Sequence, residues 1–192
     1  MTHGFSRHRR SGAAMATFTA YEADLLRSLA AQLIELLRNE EATPGSTDPL
    51  EEMFDFSGPT SAPDDPVLAR LFPNAYPDDE EAAADFRRFT EGTLRNGKAA
   101  AAGTLIDSLE QAGLPSEPED GLYIDVELDE EAAMSWLRCF TDMRLALATR
   151  LGVEEGDEDY WESLPPDDPR AQVHDIYDWL AFLQETLVEA VN

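Results

Sequence analysis

The pattern that organises the chain lies at residues 129–152, where Trp136, Phe140, Met143, Leu147 and Leu151 recur at spacings of four, three, four and four. Those steps stay on one face of a 3.6-residue helix. Asp129 suits an N-cap, Glu130 and Glu131 favour the positive end of the helix dipole, and Gly152 can close the last turn in a left-handed conformation. The pattern predicts a central helix of about six turns.

Two further stripes share that period. Leu25, Leu29, Leu33, Leu36 and Leu37 predict a first helix ending near Arg38, opened by Thr19-Ala-Tyr-Glu22, a capping box. Val173, Ile176, Tyr177, Leu180, Leu183, Leu187 and Val191 predict the last helix, started by Asp168-Pro169. Between them, Asp64 or Asp65 with Pro66 begins a short helix over 67–71. The acidic run at 78–81 opens another over 82–94, with Phe86 and Phe89 turned inward. Asn96-Gly97 reads as a break, followed by a helix over 98–111 around Leu105, Ile106 and Leu109.

Strict alternation marks the β-structure. Leu122, Ile124, Val126 and Leu128 interleave with Tyr123, Asp125 and Glu127, which predicts a half-buried strand over 121–128. Residues 13–19 alternate more weakly around Phe18 and are its expected mate. Two strands alone are marginal, so the ribbon must pack on the helices. The expected class is mainly α: a multi-helix bundle with a small two-stranded β-ribbon. Residues 1–11 read as a disordered basic arm and 12–192 as one helical domain. A Pro/Gly-rich linker lies near 40–64, interrupted by a helical turn at 50–54, and 153–166 reads as an acidic loop carrying Tyr160 and Trp161.

Charge changes the picture more than size does. With 192 residues and 43% hydrophobic content a real core is available. Fourteen basic against 40 acidic residues give a net charge of −26. Arg7, Arg9 and Arg10 precede every acid, so the remainder is more anionic still. Such a surface repels nucleic-acid phosphates and anionic leaflets; it favours a basic protein partner, or simply solubility. No direct nucleic-acid or membrane contact is expected, and a homodimer is compatible with the pattern. One cysteine, Cys139, excludes an intramolecular disulfide and fits a reducing compartment. With no spanning stretch and no apolar signal segment, the expected location is the cytoplasm.

Candidate chemistry is sparse. A cysteine–histidine nucleophile would need Cys139 with His174, but Cys139 falls on the core stripe three after Trp136, where a thiol is a small inert hydrophobe. His174 is expected to be exposed. The acids at 154–159 lack the alternating ligands of a calcium loop, and no paired cysteines, His-Glu-x-x-His or glycine-rich phosphate loop occurs. No catalytic residue, cofactor or metal is assigned; the rival reading is a carboxylate- or metal-dependent hydrolase. Arg144, Arg150 and Asp178 are the candidate ion-pair or recognition residues. In so acidic a chain the two arginines are expected to clamp the central helix to the last helix or the acidic loop, or to recognise an anionic group. Cys139 is the one candidate redox residue.

Three stretches together carry a family resemblance: Asp65-Pro-Val-Leu-Ala-Arg-Leu-Phe-Pro-Asn-Ala-Tyr76, Trp136-Leu with Asp142-Met-Arg-Leu-Ala-Leu-Ala-Thr-Arg-Leu-Gly152, and Tyr177-Asp-Trp-Leu-Ala-Phe-Leu-Gln-Glu-Thr-Leu187. They resemble an actinobacterial family catalogued as domain of unknown function number twenty-seventeen, whose genes tend to lie beside that of the ClpS protease adaptor. The resemblance implies a non-enzymatic, regulatory protein-interaction module, linked to transcription or oxidative stress, with an alternative sigma factor as the basic partner. One member is described as sensing redox state through a Cys-x-x-x-Cys pair. Here Cys139 has no partner cysteine, so that switch does not carry over.

Overall fold

The computed structural model describes residues 3–39 and 59–192. In chain order the elements are β1 (Ser6–Arg7), β2 (Ala14–Thr19), α1 (Ala20–Asn39), α2 (Pro66–Leu71), α3 (Glu80–Gln111), β3 (Tyr123–Leu128), α4 (Glu130–Leu151), α5 (Glu158–Glu162) and α6 (Pro169–Val191). The fold is mainly helical with a small antiparallel sheet, as expected. The helical turn expected at 50–54 lies outside the described residues.

Helix α4 is the centre, packed against α6, α3 and α2, while α1 lies along α3. Its predicted ends are the observed ones. The Asp129 carboxylate accepts from Ala132 N at 2.8 Å, and Gly152 sits at φ 73°, ψ 36° with its N–H donating to Ala148 O. Trp136, Phe140 and Met143 are buried; Leu147 and Leu151 are partly so. The capping box at α1 is reciprocal: Thr19 N donates to Glu22 Oε2 at 2.8 Å and Glu22 N to Thr19 Oγ1 at 3.2 Å.

The sheet order is β1-β2-β3, with Ala14, Ala16 and Phe18 of β2 opposite Leu128, Val126 and Ile124 of β3. These six side chains form the inner face and are buried. The two-stranded expectation is corrected by β1, which pairs Ser6 with Met15 and Arg7 with Ala14. The disordered-arm expectation fails with it. Phe5 is buried, edge-on to both Phe18 and Trp136 at 5.9 and 5.7 Å, and its N–H donates to Thr186 Oγ1 at 3.0 Å. A single phenyl ring, burying on the order of 150 Å² or more, ties the basic N-terminal stretch to the core.

The second correction is α3. It is one 32-residue helix, with no break at Asn96-Gly97. Glycine there costs about 1 kcal/mol relative to alanine, and ties on either side offset it. Arg95 donates to Leu37 O at 2.6 Å, and Lys98 pairs with Asp142 at 2.7 Å. Phe86 and Phe89 do not point inward; they are 41% and 55% exposed. The buried positions of this half of the helix are Ala83, Arg87, Glu91 and Arg95 instead. Arg87 donates to Phe72 O, Asn74 Oδ1 and Glu91 Oε1 at 2.9–3.0 Å, so it satisfies carbonyl groups left open where α2 ends. The Arg95 guanidinium lies 4.9 Å from the Phe72 ring centroid. The chain leaving α2 presents acceptors and an aromatic face, and guanidinium groups match both.

Candidate functional site

The acidic stretch after α4 is not a plain loop. Gly156 takes a positive φ of 87°, the Asp157 carboxylate accepts from Glu154 N at 2.8 Å, and five residues form α5. The bond from Glu154 N is the main reason that the Asp157 carboxyl is held below its ordinary value. Trp161 is the buried residue of α5. Its indole stacks on the His174 imidazole of α6 at 4.7 Å and 12°, and His174 leans against Tyr177 at 5.7 Å. His174 is therefore half-buried rather than exposed, and its Nδ1 lies 3.4 Å from Asp178 Oδ2. The stack holds α5 against α6.

Between them opens a cleft of about 600 Å³. Seven carboxylates line it: Glu154, Glu155, Asp157, Glu158, Glu162, Asp175 and Asp178, against Arg70 and His174 as the basic lining groups. The aromatic faces of Trp161 and Tyr177 form part of its wall. Carboxylates around an apolar floor suit a cationic chain with aliphatic length, such as arginine or lysine. Among the described residues no cluster of three or more His, Cys, Asp or Glu is placed to hold a metal ion.

The expected recognition residues fall in different places. Asp178 is on the cleft wall. Arg144 does clamp α4 to α6, but without a carboxylate: it donates to Gln184 Oε1 at 2.9 Å and covers the Tyr177 ring at 5.1 Å, leaving Nε buried and unbonded. Arg150 reaches neither the last helix nor the acidic loop. It pairs with Asp65 Oδ2 at 2.9 Å, the residue that caps α2 through its other oxygen. Burial raises the Asp65 carboxyl, but the bonds from Arg150 and from the N–H groups of Val67 and Leu68 outweigh it and hold it below its ordinary value. Cys139 is fully buried and lines no part of the cleft. Burial, with the charge of Asp142 adding to it, pushes its thiol up to about 12.

Two features escaped the sequence reading. The Trp161–His174 stack had no signal, since it joins residues 13 apart across a turn. The Arg87–Glu91–Arg95 series had one: alternating charge at i, i+4 and i+8 of a helix whose apolar residues keep no clean stripe.

Comparison with known proteins agrees over nearly the whole chain. The family model described as "Domain of unknown function (DUF2017)" matches residues 2–191. A Mycobacterium bovis protein named "Oxidative stress regulator AosR" is 33% identical over 182 residues, spanning 88% of this chain and 77% of its own length. A Mycobacterium tuberculosis H37Rv protein of the same name matches to the same extent. No solved structure matches this chain.

Proposed function

The chain belongs to the DUF2017 family, and from that membership and the carboxylate-walled cleft we propose that it is a regulator that works by holding a basic segment of a protein partner. The relatives' name, oxidative stress regulator, supports a regulatory role in a stress response. The observation that carries the reading is the cleft between α5 and α6, where seven carboxylates surround a Trp161–His174–Tyr177 wall. In this reading the cleft binds and does no chemistry. An alternative sigma factor, the partner that the resemblance implies, would meet it through a basic surface, and the encounter takes place in the cytoplasm.

Redox sensing, if the regulator takes part in it, does not run through an internal disulfide. The chain has one cysteine, and that thiol is buried. The partner interaction should therefore be the same in reduced and oxidised protein.

The test is affinity capture from an actinobacterial lysate, with and without oxidant, using the wild type and a variant carrying Glu154→Gln, Glu155→Gln, Glu158→Gln and Glu162→Gln. A basic protein retained by the wild type, released by salt and not retained by the variant, under both redox conditions, is the expected result. Retention that persists in the variant, or that appears only after oxidation, would refute the reading.

A further inference from the structure

A second pocket, of about 380 Å³, opens between α3 and α4 and holds two cations and a single carboxylate. Its lining includes Thr93, Gly97 and Lys98 from α3, and Arg138 and Asp142 from α4. These positions repeat one turn apart on each helix, so they share a groove. It is an open groove, since Thr93, Leu94, Gly97, Arg138 and Thr141 of its lining are exposed.

Two of the lining residues are cations, Lys98 and Arg138, against one carboxylate, Asp142. Lys98 is fixed by Asp142, a carboxylate only 3% exposed, at 2.7 Å. Arg138 is exposed and has no ion-pair partner among the described residues. In a protein with 40 acidic residues most arginines near α3 and α4 have found an acceptor: Arg87, Arg88, Arg95, Arg144 and Arg150 all have one. Two cations at one cavity, with one carboxylate between them, leave a local excess of positive charge. At physiological salt the Debye length is about 8 Å, so the distant acids weigh little against it. The Thr93 hydroxyl makes no hydrogen bond among the described residues and can donate, whereas that of Thr141 is already spent on Leu137 O and Gln184. At Gly97 the wall is open, since a Cβ there would meet no atom within 4 Å.

We infer that this cavity is a site for a small molecule bearing an oxyanion, carboxylate or phosphate, held by Arg138, Lys98 and Thr93. The anion completes the charge balance that Asp142 leaves unfinished, and Asp142 keeps Lys98 in position to meet it. The site is independent of the acidic cleft and of whatever protein that cleft holds. It gives a regulator a place where a small charged effector can be read.

Calorimetric titration of the full chain with sodium succinate and, separately, with inorganic phosphate tests this. Saturable binding of at least one probe at concentrations up to the order of tens of millimolar is expected, two charge-assisted contacts being enough for millimolar affinity. Arg138→Gln should weaken it about tenfold or more, and Gly97→Leu, which fills the cavity without removing a charge, should do the same. Arg70→Gln, an exposed arginine in the acidic cleft, should leave it unchanged. Succinate alone, or phosphate alone, saturating the site would identify the oxyanion. The absence of saturation by either, equal weakening in all three variants, or unchanged binding in Gly97→Leu protein whose melting temperature is intact would overturn the assignment.

Discussion

Cys139 shows most plainly what the environment does to a side chain here. It is 0% exposed, and burial pushes its thiol up to about 12. At pH 8 almost none of it is thiolate, the nucleophilic form. A thiol-specific reagent should therefore label the native protein orders of magnitude more slowly than protein in denaturant; labelling at the rate of a free thiol would show the site to be open. Asp65 works in the opposite direction. Its carboxyl is lowered in the fold, so its contribution is complete above the ordinary value of about 3.9 and is lost as the pH falls through the folded value. Asparagine can still cap α2 but cannot pair with Arg150. Because Arg150 is 54% exposed, the deficit of Asp65→Asn should stay below about 1 kcal/mol in urea unfolding at pH 7. It should shrink as the pH falls below the ordinary value and through the folded one, and a gap that grew in acid would contradict the pairing.

At the scale of elements, the sequence showed whatever depends on period and missed what depends on distant partners. The stripes ending at Leu37, Leu151 and Val191 gave α1, α4 and α6, and strict alternation gave β3, because those patterns have one periodicity each; the weaker alternation of 13–19 gave its mate. The N-terminal strand has no periodic signal, because Phe5 is a lone apolar residue in a basic run, and two of the groups it meets, Trp136 and Thr186, are more than 130 residues away. Phe5→Ala should cost about 3–5 kcal/mol. Amides near Phe5 and Ser6 should resist hydrogen exchange, where a mobile arm would exchange at once. In α3 apolar content is a poor guide to the inward face, because Phe72 and its carbonyl select for guanidinium. The continuity of that helix is itself testable. Gly97→Ala should stabilise the protein by roughly 0.5–1 kcal/mol, visible as a higher melting temperature; a real break at Gly97 would give no gain or a loss.

Across the whole molecule, the net charge of −26 was plain in the sequence, but its concentration was not. In sequence the acids of 154–162 have the look of loop residues. Only the turn at Gly156 and the Trp161–His174 stack gather them with Asp175 and Asp178 around one cleft. The proposed partner site rests on that gathering. The decisive measurement is the affinity of a fluorescently labelled arginine-rich peptide at about 50 and about 300 mM salt. It should be made on the wild type, on the cleft variant neutralised at Glu154, Glu155, Glu158 and Glu162, and on a control neutralised at Glu80, Glu81, Glu117 and Glu119. The account predicts binding that weakens about tenfold or more with salt, an equal loss in the cleft variant at low salt, and a control close to wild type. Equal weakening in the two variants would mean that the charge acts diffusely and that the cleft is no site.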